Sequence, residues 1–139
     1  MISSAKVKLH IDIETYSEAD LLDVGVYRYT EDPSFEVLMM AYAFDDEETD
    51  IIDLTKEKMP DGLIRALTAP SVIKVAHNAN FERTCLQKAL GVPMPPEQWI
   101  CTAVRASTLG LPRSLDSVGK VLGLPEDKEK IKEGKQLIR

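Results

Sequence analysis

The first hydrophobic pattern along the chain is a strict alternation of apolar and polar residues. It covers residues 6–14, where every second side chain is aliphatic. Successive side chains of a β-strand point to opposite faces, so this alternation predicts a strand with one buried face. A second apolar run covers residues 36–44, an acidic turn follows at 45–48, and residues 49–54 return as a short strand. Together these segments predict a β-hairpin.

Beyond the hairpin the pattern changes to helical spacing, with one buried strand inserted. Residues 60–69 begin with a proline and carry an aliphatic stripe, which predicts a helix, and residues 71–76 predict a short strand. Further helices are predicted over residues 81–90, 97–108, 115–122 and 127–137. Without the last of these, a weak and charged helix, the predicted order is β-β-β-α-β-α-α-α. It indicates one α/β domain with a mixed sheet flanked by helices.

The composition is that of an ordinary globular protein. Apolar residues make up 44% of the chain, and no apolar run approaches the about 18 residues of a membrane span. The segment Met1–Lys6 lacks the basic start and apolar core of a signal peptide. We therefore expect a cytoplasmic protein with no membrane partner. Cys85 and Cys101 do not form a metal-binding pair, and we expect both to be reduced and mostly buried.

The net charge limits the kinds of nucleic-acid contact that the chain can make. A formal charge of −6 argues against a protein whose main task is to grip duplex DNA through its phosphates. It leaves open an enzyme that handles a single nucleic-acid end through metal ions.

Two carboxylates stand two positions apart near the end of the first predicted strand. Asp12 and Glu14 should share one face, about 6.5–7 Å apart along the strand. Neighbouring carboxylates repel unless a cation lies between them. No cluster of His or Cys accompanies them, so Mg²⁺ or Mn²⁺ would suit them best. On this pair alone, a solvent-exposed polar face is the better interpretation, because Lys8 and His10 share that face.

A second polar segment, His-Asn-Ala-Asn-Phe-Glu at residues 77–82, runs from a buried strand into a predicted helix start. Functional sites collect at strand ends in α/β sheets. However, Glu82 in a first helical turn is also favoured by the helix dipole, and Asn78 or Asn80 can serve as an N-cap. We interpret His77 as a packed strand-end residue, not as a catalytic one.

The two segments together resemble the first and second motifs of the DnaQ-like, or DEDD, 3′–5′ exonucleases. The likeness is greatest to the proofreading domains of phage and bacterial family A DNA polymerases. Four other segments have counterparts there: residues 16–21, 25–29, 110–115 and 134–138. The resemblance therefore spans nearly all of residues 1–139. It implies a ribonuclease-H-like fold, a polymerase domain in the same longer chain, and a bacterial or phage-infected host cell.

The resemblance also implies a site for two Mg²⁺ or Mn²⁺ ions that hydrolyses a single-stranded or frayed DNA 3′ end. Asp12 would bridge both ions, and Glu14 would hold one ion and help to position the attacking water. Glu82 would anchor the second ion. Substrate-binding roles carry over to four residues: Thr15, Tyr16, Asn78 and Phe81.

Three departures from the family pattern stand out. Glu82 replaces the usual Asp, and Cys101 replaces the Asp of many relatives at a structural position. The third motif, a Tyr or His followed by Asp, should come after residues 134–138. Asp116 and Asp127 do not have that spacing and are predicted to be helix-surface acids. We therefore expect a C-terminally truncated exonuclease domain that is weak or inactive alone.

Two other functions remain open from the sequence. One is a catalytically incomplete ribonuclease-H-like module with a structural or nucleic-acid-binding role, which the absence of a third motif favours. The other is a free-standing RNA-processing exonuclease, which the polymerase-like segments argue against.

Overall fold

The structure, a computed structural model, describes residues 6–123. Its strands are β1 Val7–Tyr16, β2 Glu36–Phe44, β3 Asp50–Asp53, β4 Val72–Ala76 and β5 Trp99–Cys101. Its α-helices are α1 Leu21–Glu31, α2 Asp61–Thr68, α3 Ala79–Leu90, α4 Thr102–Thr108 and α5 Leu115–Val121. A single 3₁₀ turn, Pro96–Gln98, leads into β5.

The strands form one five-stranded sheet in the order β3-β2-β1-β4-β5. The first three strands pair antiparallel, and β4 joins β1 in parallel, as β5 joins β4. The predicted α/β class with a mixed sheet flanked by helices is confirmed. This order makes β1 the central strand, which pairs with β2 on one side and with β4 on the other. No helix within residues 6–123 is long and apolar enough to cross a membrane.

The alternation in β1 divides its two faces as predicted. Leu9, Ile11 and Ile13 are buried and pack in one cluster with Met40 of β2 and Leu86 of α3. Burying each large aliphatic side chain contributes about 1.5–3 kcal/mol, so this face anchors the helices to the sheet. The polar side chains of β1 point to the opposite face.

Helix α1 was not predicted from the sequence. Asp20 caps it, since its carboxylate accepts a hydrogen bond from the backbone N–H of Leu22 at 3.0 Å. Gly25 then takes φ 79° and ψ 168°, which divides the helix into two short pieces across a kink. Because neither piece is long enough to repeat an apolar stripe, helical periodicity does not show in this segment.

The predicted helix over residues 97–108 was wrong in its first half. Residues Trp99–Cys101 form β5 and pair in parallel with β4, and only residues Thr102–Thr108 are helical. The pairing with β4 supplies the backbone hydrogen bonds that hold Trp99–Cys101 extended, and short-range propensity does not reveal such a partner. The helix predicted over residues 127–137 lies outside the described residues.

Lys74 is a fully buried side chain in the middle of β4. Its Nζ donates to the carbonyl oxygens of Ala69 and Val72 at 2.9 and 3.0 Å, and to Oε1 of Gln98 at 2.9 Å. Three acceptors match the three hydrogens of an ammonium group. Burial lowers the pKa of Lys74. The three hydrogen bonds connect the α2–β4 loop to the 3₁₀ turn that precedes β5.

We predict that Lys74→Met lowers the free energy of unfolding by about 1–3 kcal/mol, because three buried acceptors lose their donor. Urea denaturation monitored by circular dichroism measures this change. Lys88→Met, at an exposed position of α3, is the matched control and should alter stability by less than about 0.5 kcal/mol. Equal midpoints for the two variants would contradict the role assigned to Lys74.

Candidate active site

The candidate acids lie at the end of the sheet where β4 stops. Strand β4 pairs with β1 only as far as Val75 opposite His10, so Asp12 and Glu14 extend past the end of β4. The chain after β4 turns within two residues and enters α3. Residues 77–78 and the first helical turn of α3 therefore lie beside the end of β1 that extends past β4.

Asn78 makes this tight turn possible. It has φ 70° and ψ 54°, in the left-handed region, and it occupies the N-cap position of α3 without a side-chain cap. Among residues with a Cβ, Asn adopts this conformation with comparatively little strain. Its side chain is exposed at the site edge, so it remains available to a ligand.

Asp12 and Glu14 lie on the polar face of β1. Asp12 pairs with Ala41 of β2 and is exposed, whereas Glu14 pairs with Met39 and is half-buried. An irregularity in the pairing follows immediately, because Thr15 aligns with Val37. The register therefore changes directly beside Glu14, and bulges of this kind often re-aim side chains near functional sites.

Glu82 is the buried member of the acidic group. It is only 4% exposed, and its Oε2 has no hydrogen-bond partner among the described residues. Burial raises the pKa of Glu82 to about 8; its own backbone N–H opposes the rise, while the charges of Asp12, Cys101 and Glu14 add to it. The structure thus brings Glu82 within range of the charges of Asp12 and Glu14.

These acids do not converge on a single point. Within residues 6–123, no group of three or more His, Cys, Asp or Glu side chains is close enough to hold one metal ion. The donor set nevertheless fits hard divalent cations, because it consists of carboxylate oxygens and one of these is buried without a partner. Asp12, Glu14 and Glu82 are the residues that could hold them.

The four candidate substrate-binding residues divide into two pairs. Tyr16, 38% exposed, and Asn78 present their side chains to solvent. Thr15 is only 8% exposed, with its hydroxyl 2.8 Å from that of Tyr29. Phe81 is half-buried, and its ring centroid lies 6.0 Å from that of Tyr29. Thr15 and Phe81 therefore belong to the wall of the site.

Tyr29 is a site-wall residue that the sequence analysis did not single out. Its ring also packs edge-on against Phe35 at 5.8 Å, and its carbonyl accepts a hydrogen bond from the hydroxyl of Ser17 at 2.9 Å. Burial raises the pKa of Tyr29, although the hydrogen bond with Thr15 opposes this rise. Its segment, residues 25–29, was noted only for its family resemblance.

His77 ties three segments together beside the site. Its Nε2 lies 2.6 Å from the carbonyl oxygen of Arg113, and its Nδ1 lies 2.8 Å from Oγ1 of Thr102. A carbonyl oxygen only accepts, so Nε2 carries a hydrogen. His77 thus links the end of β4 to the start of α4 and to the α4–α5 connection, in agreement with its interpretation as a packed strand-end residue.

Cys101 occupies the junction of two helix starts. It is the N-cap of α4, and its Sγ accepts the backbone N–H of Ala79 at 3.4 Å. Burial raises the pKa of the thiol. Backbone N–H groups at the starts of α3 and α4 together lower this pKa by more than burial raises it, so the net shift is downward. Neither this thiol nor the buried Cys85 forms a disulfide.

We predict that the stability of the chain in EDTA falls as the pH rises from about 4.5 to about 8. The pKa of Glu82 rises from 4.5 to about 8 on folding, so over this interval the folded state retains a proton that the unfolded state loses. At about 1.4 kcal/mol per pKa unit, the loss reaches a few kcal/mol. Glu82→Gln should flatten this slope in urea denaturation at several pH values, and a slope equal to that of the wild type would contradict the environment described.

Comparison with known proteins agrees with this geometry. Residues 26–137 match the family described as 3′–5′ exonuclease. The chain is 55% identical over 132 residues to a DNA polymerase of Bacillus phage SP02; this match covers 94% of the chain but only 20% of the polymerase. The chain thus spans about a fifth of the length of that relative.

Solved structures share the fold. Brucella melitensis NrnC bound to pGG has a TM-score of 0.62 at 20% identity, over 90% of this chain and 55% of that one. Escherichia coli RNase D, an exoribonuclease involved in structured RNA processing, has a TM-score of 0.60 at 21% identity, over 87% and 29%. The family B DNA polymerase of Pyrobaculum calidifontis has a TM-score of 0.58 at 17% identity, over 95% and 20%. The resemblance predicted from the two motifs is therefore confirmed, and the chain belongs to the 3′–5′ exonuclease family.

Proposed function

We propose that this chain is the proofreading exonuclease part of a DNA polymerase, which removes 3′-terminal nucleotides by metal-assisted phosphodiester hydrolysis. The observation that carries the proposal is the buried carboxylate of Glu82, which has one oxygen without a partner and lies within range of the charges of Asp12 and Glu14. Membership of the 3′–5′ exonuclease family supports the same reaction.

The electrostatics of the acids support a role in binding divalent cations. A buried carboxylate beside two others is costly in the charged form, because burial and like charges both disfavour ionisation. Such an arrangement is typical of functional sites, where a cation offsets the cost. Asp12 would bridge two ions, Glu14 would hold one and Glu82 the other. When bound, two divalent cations supply an activated water and stabilise the leaving 3′ oxygen.

The remaining residues of the site would receive and orient the 3′ end. Asp12 is exposed on the open face of β1, so DNA can approach it from solvent. Tyr16 and Asn78 flank that approach with exposed side chains that can contact the terminal nucleotide. Thr15 and Phe81 would shape the wall against which the nucleotide rests.

DNA is the substrate that the relatives favour. The 55% identical relative is a DNA polymerase, whereas the RNA-processing neighbour, RNase D, shares the fold at 21% identity. The net charge of −6 also suits a site that handles a single-stranded or frayed end through a few stacking and polar contacts. The polymerase domain of the same longer chain would be the partner that delivers this end.

We predict that a chimaera in which residues 1–139 replace the matching segment of the phage SP02 polymerase degrades single-stranded DNA from its 3′ end with Mg²⁺ or Mn²⁺. Asp12→Ala should lower the rate at least about 100-fold, because it removes an ion ligand. Asp46→Ala, in the exposed turn after β2, is the control and should leave the rate unchanged. Gel analysis of a 5′-labelled oligonucleotide measures both; faster cleavage of the matched RNA would favour the RNA-processing alternative.

We also predict that Mn²⁺ raises the melting temperature of the chain in a concentration-dependent manner, because a ligand that binds only the folded state stabilises it. Differential scanning fluorimetry measures the shift. Asp12→Ala should abolish most of it. An equal shift for wild type and variant would show that Mn²⁺ binds elsewhere and would contradict the proposed site.

A further inference from the structure

Tyr29 contacts both segments that carry the candidate acids. Its hydroxyl lies 2.8 Å from that of Thr15, the residue after Glu14. Its ring centroid lies 6.0 Å from that of Phe81, the residue before Glu82. Tyr29 itself comes from α1, which belongs to neither segment.

The contacts of Tyr29 are specific and largely shielded from water. Both hydroxyls of the pair with Thr15 belong to buried residues, so each depends on the other to satisfy its hydrogen-bonding capacity. The ring of Phe35 closes the cluster on another side at 5.8 Å. The bond of Ser17 to the Tyr29 carbonyl, at 2.9 Å, holds the backbone of α1 against the segment that follows β1.

The hydrogen bond meets β1 at an irregularity in its pairing with β2. The register with β2 changes between Glu14 and Thr15, and such irregularities locally disrupt the ladder of backbone hydrogen bonds. Thr15 is the first residue of β1 beyond this irregularity, directly after Glu14. The Tyr29–Thr15 pair restrains the strand immediately beside it.

We propose that Tyr29 is a positioning residue that sets the separation between the carboxylates of Glu14 and Glu82. It restrains Thr15 through its hydroxyl and Phe81 through its ring, and so connects the two acid-bearing segments. This inference rests on the proposed function, since the separation matters only if the acids hold divalent cations. A metal site tolerates displacements of about 0.5 Å before its affinity suffers.

The test compares two single-atom deletions in the same helix. Tyr29→Phe removes the hydroxyl and keeps the ring, whereas Tyr27→Phe makes the same change at a position that is 62% exposed. Isothermal calorimetry of Mn²⁺ with the 139-residue chain, well below its melting temperature, measures the affinity. Tyr29→Phe should weaken binding about 10-fold, as loss of a residue that orients metal ligands typically does. Tyr27→Phe should bind like the wild type.

Two further variants separate positioning from stability. In Tyr29→Phe with Thr15→Val both hydroxyls are gone, so no buried polar group lacks a partner and the melting temperature in EDTA should largely recover. The Mn²⁺ affinity should stay low, because the restraint on β1 is still missing. Lys74→Met, which removes hydrogen bonds that involve none of the acids, should keep the wild-type affinity. If Tyr29→Phe does not fold, the Mn²⁺ affinity of the double variant is compared with that of the wild type instead.

The outcomes also separate this inference from the proposed function. If Asp12→Ala loses affinity for Mn²⁺ while Tyr29→Phe binds within about twofold of the wild type, against the 10-fold loss expected of an orienting residue, only the inference about Tyr29 falls. If the double variant regains both stability and affinity, the hydrogen bond is merely structural and the inference is again overturned. If Asp12→Ala binds like the wild type, the proposed function and the inference fall together.

Discussion

The site depends on holding a buried carboxylate beside two others. Glu82 is almost completely shielded from water and has an oxygen without a partner, and Asp12 and Glu14 lie within range of its charge. Ionisation of Glu82 is therefore unfavourable in the folded chain, and the aliphatic cluster on the opposite face of β1 supplies stability that offsets its cost. The central strand thus stabilises the fold with one set of alternating residues and carries the destabilising acids with the other.

Helix starts and strand ends place these acids at the same edge. Asn78 closes the turn after β4 in a left-handed conformation, and the thiol of Cys101 accepts the backbone N–H of Ala79 at the start of α3. His77 adds a side-chain link to the α4–α5 connection. The surroundings of the acids are therefore built largely from capping and turn interactions, which need few residues but strict geometry.

Sequence patterns predicted the features that depend on neighbours in the chain. The alternation in residues 6–14 identified β1 and its buried face, and the family motifs identified acids that the structure brings together. Helix α1 was missed because Gly25 interrupts its periodicity, and β5 was missed because its extended conformation depends on pairing with β4. The contacts of Tyr29 likewise join three separate segments, and no local pattern signals them.

The parallel pairing of β1 with β4 brings together acids that are distant in the chain. Asp12 and Glu82 are about 70 residues apart in the chain, and they become neighbours only after the intervening hairpin and α2 have been bridged. Closing such a long connection carries a cost in chain entropy, which the contacts between the two strands must offset. Local opening between these two strands would separate the acids. Divalent cations bound by these acids would oppose that opening and thus slow amide hydrogen exchange along both strands.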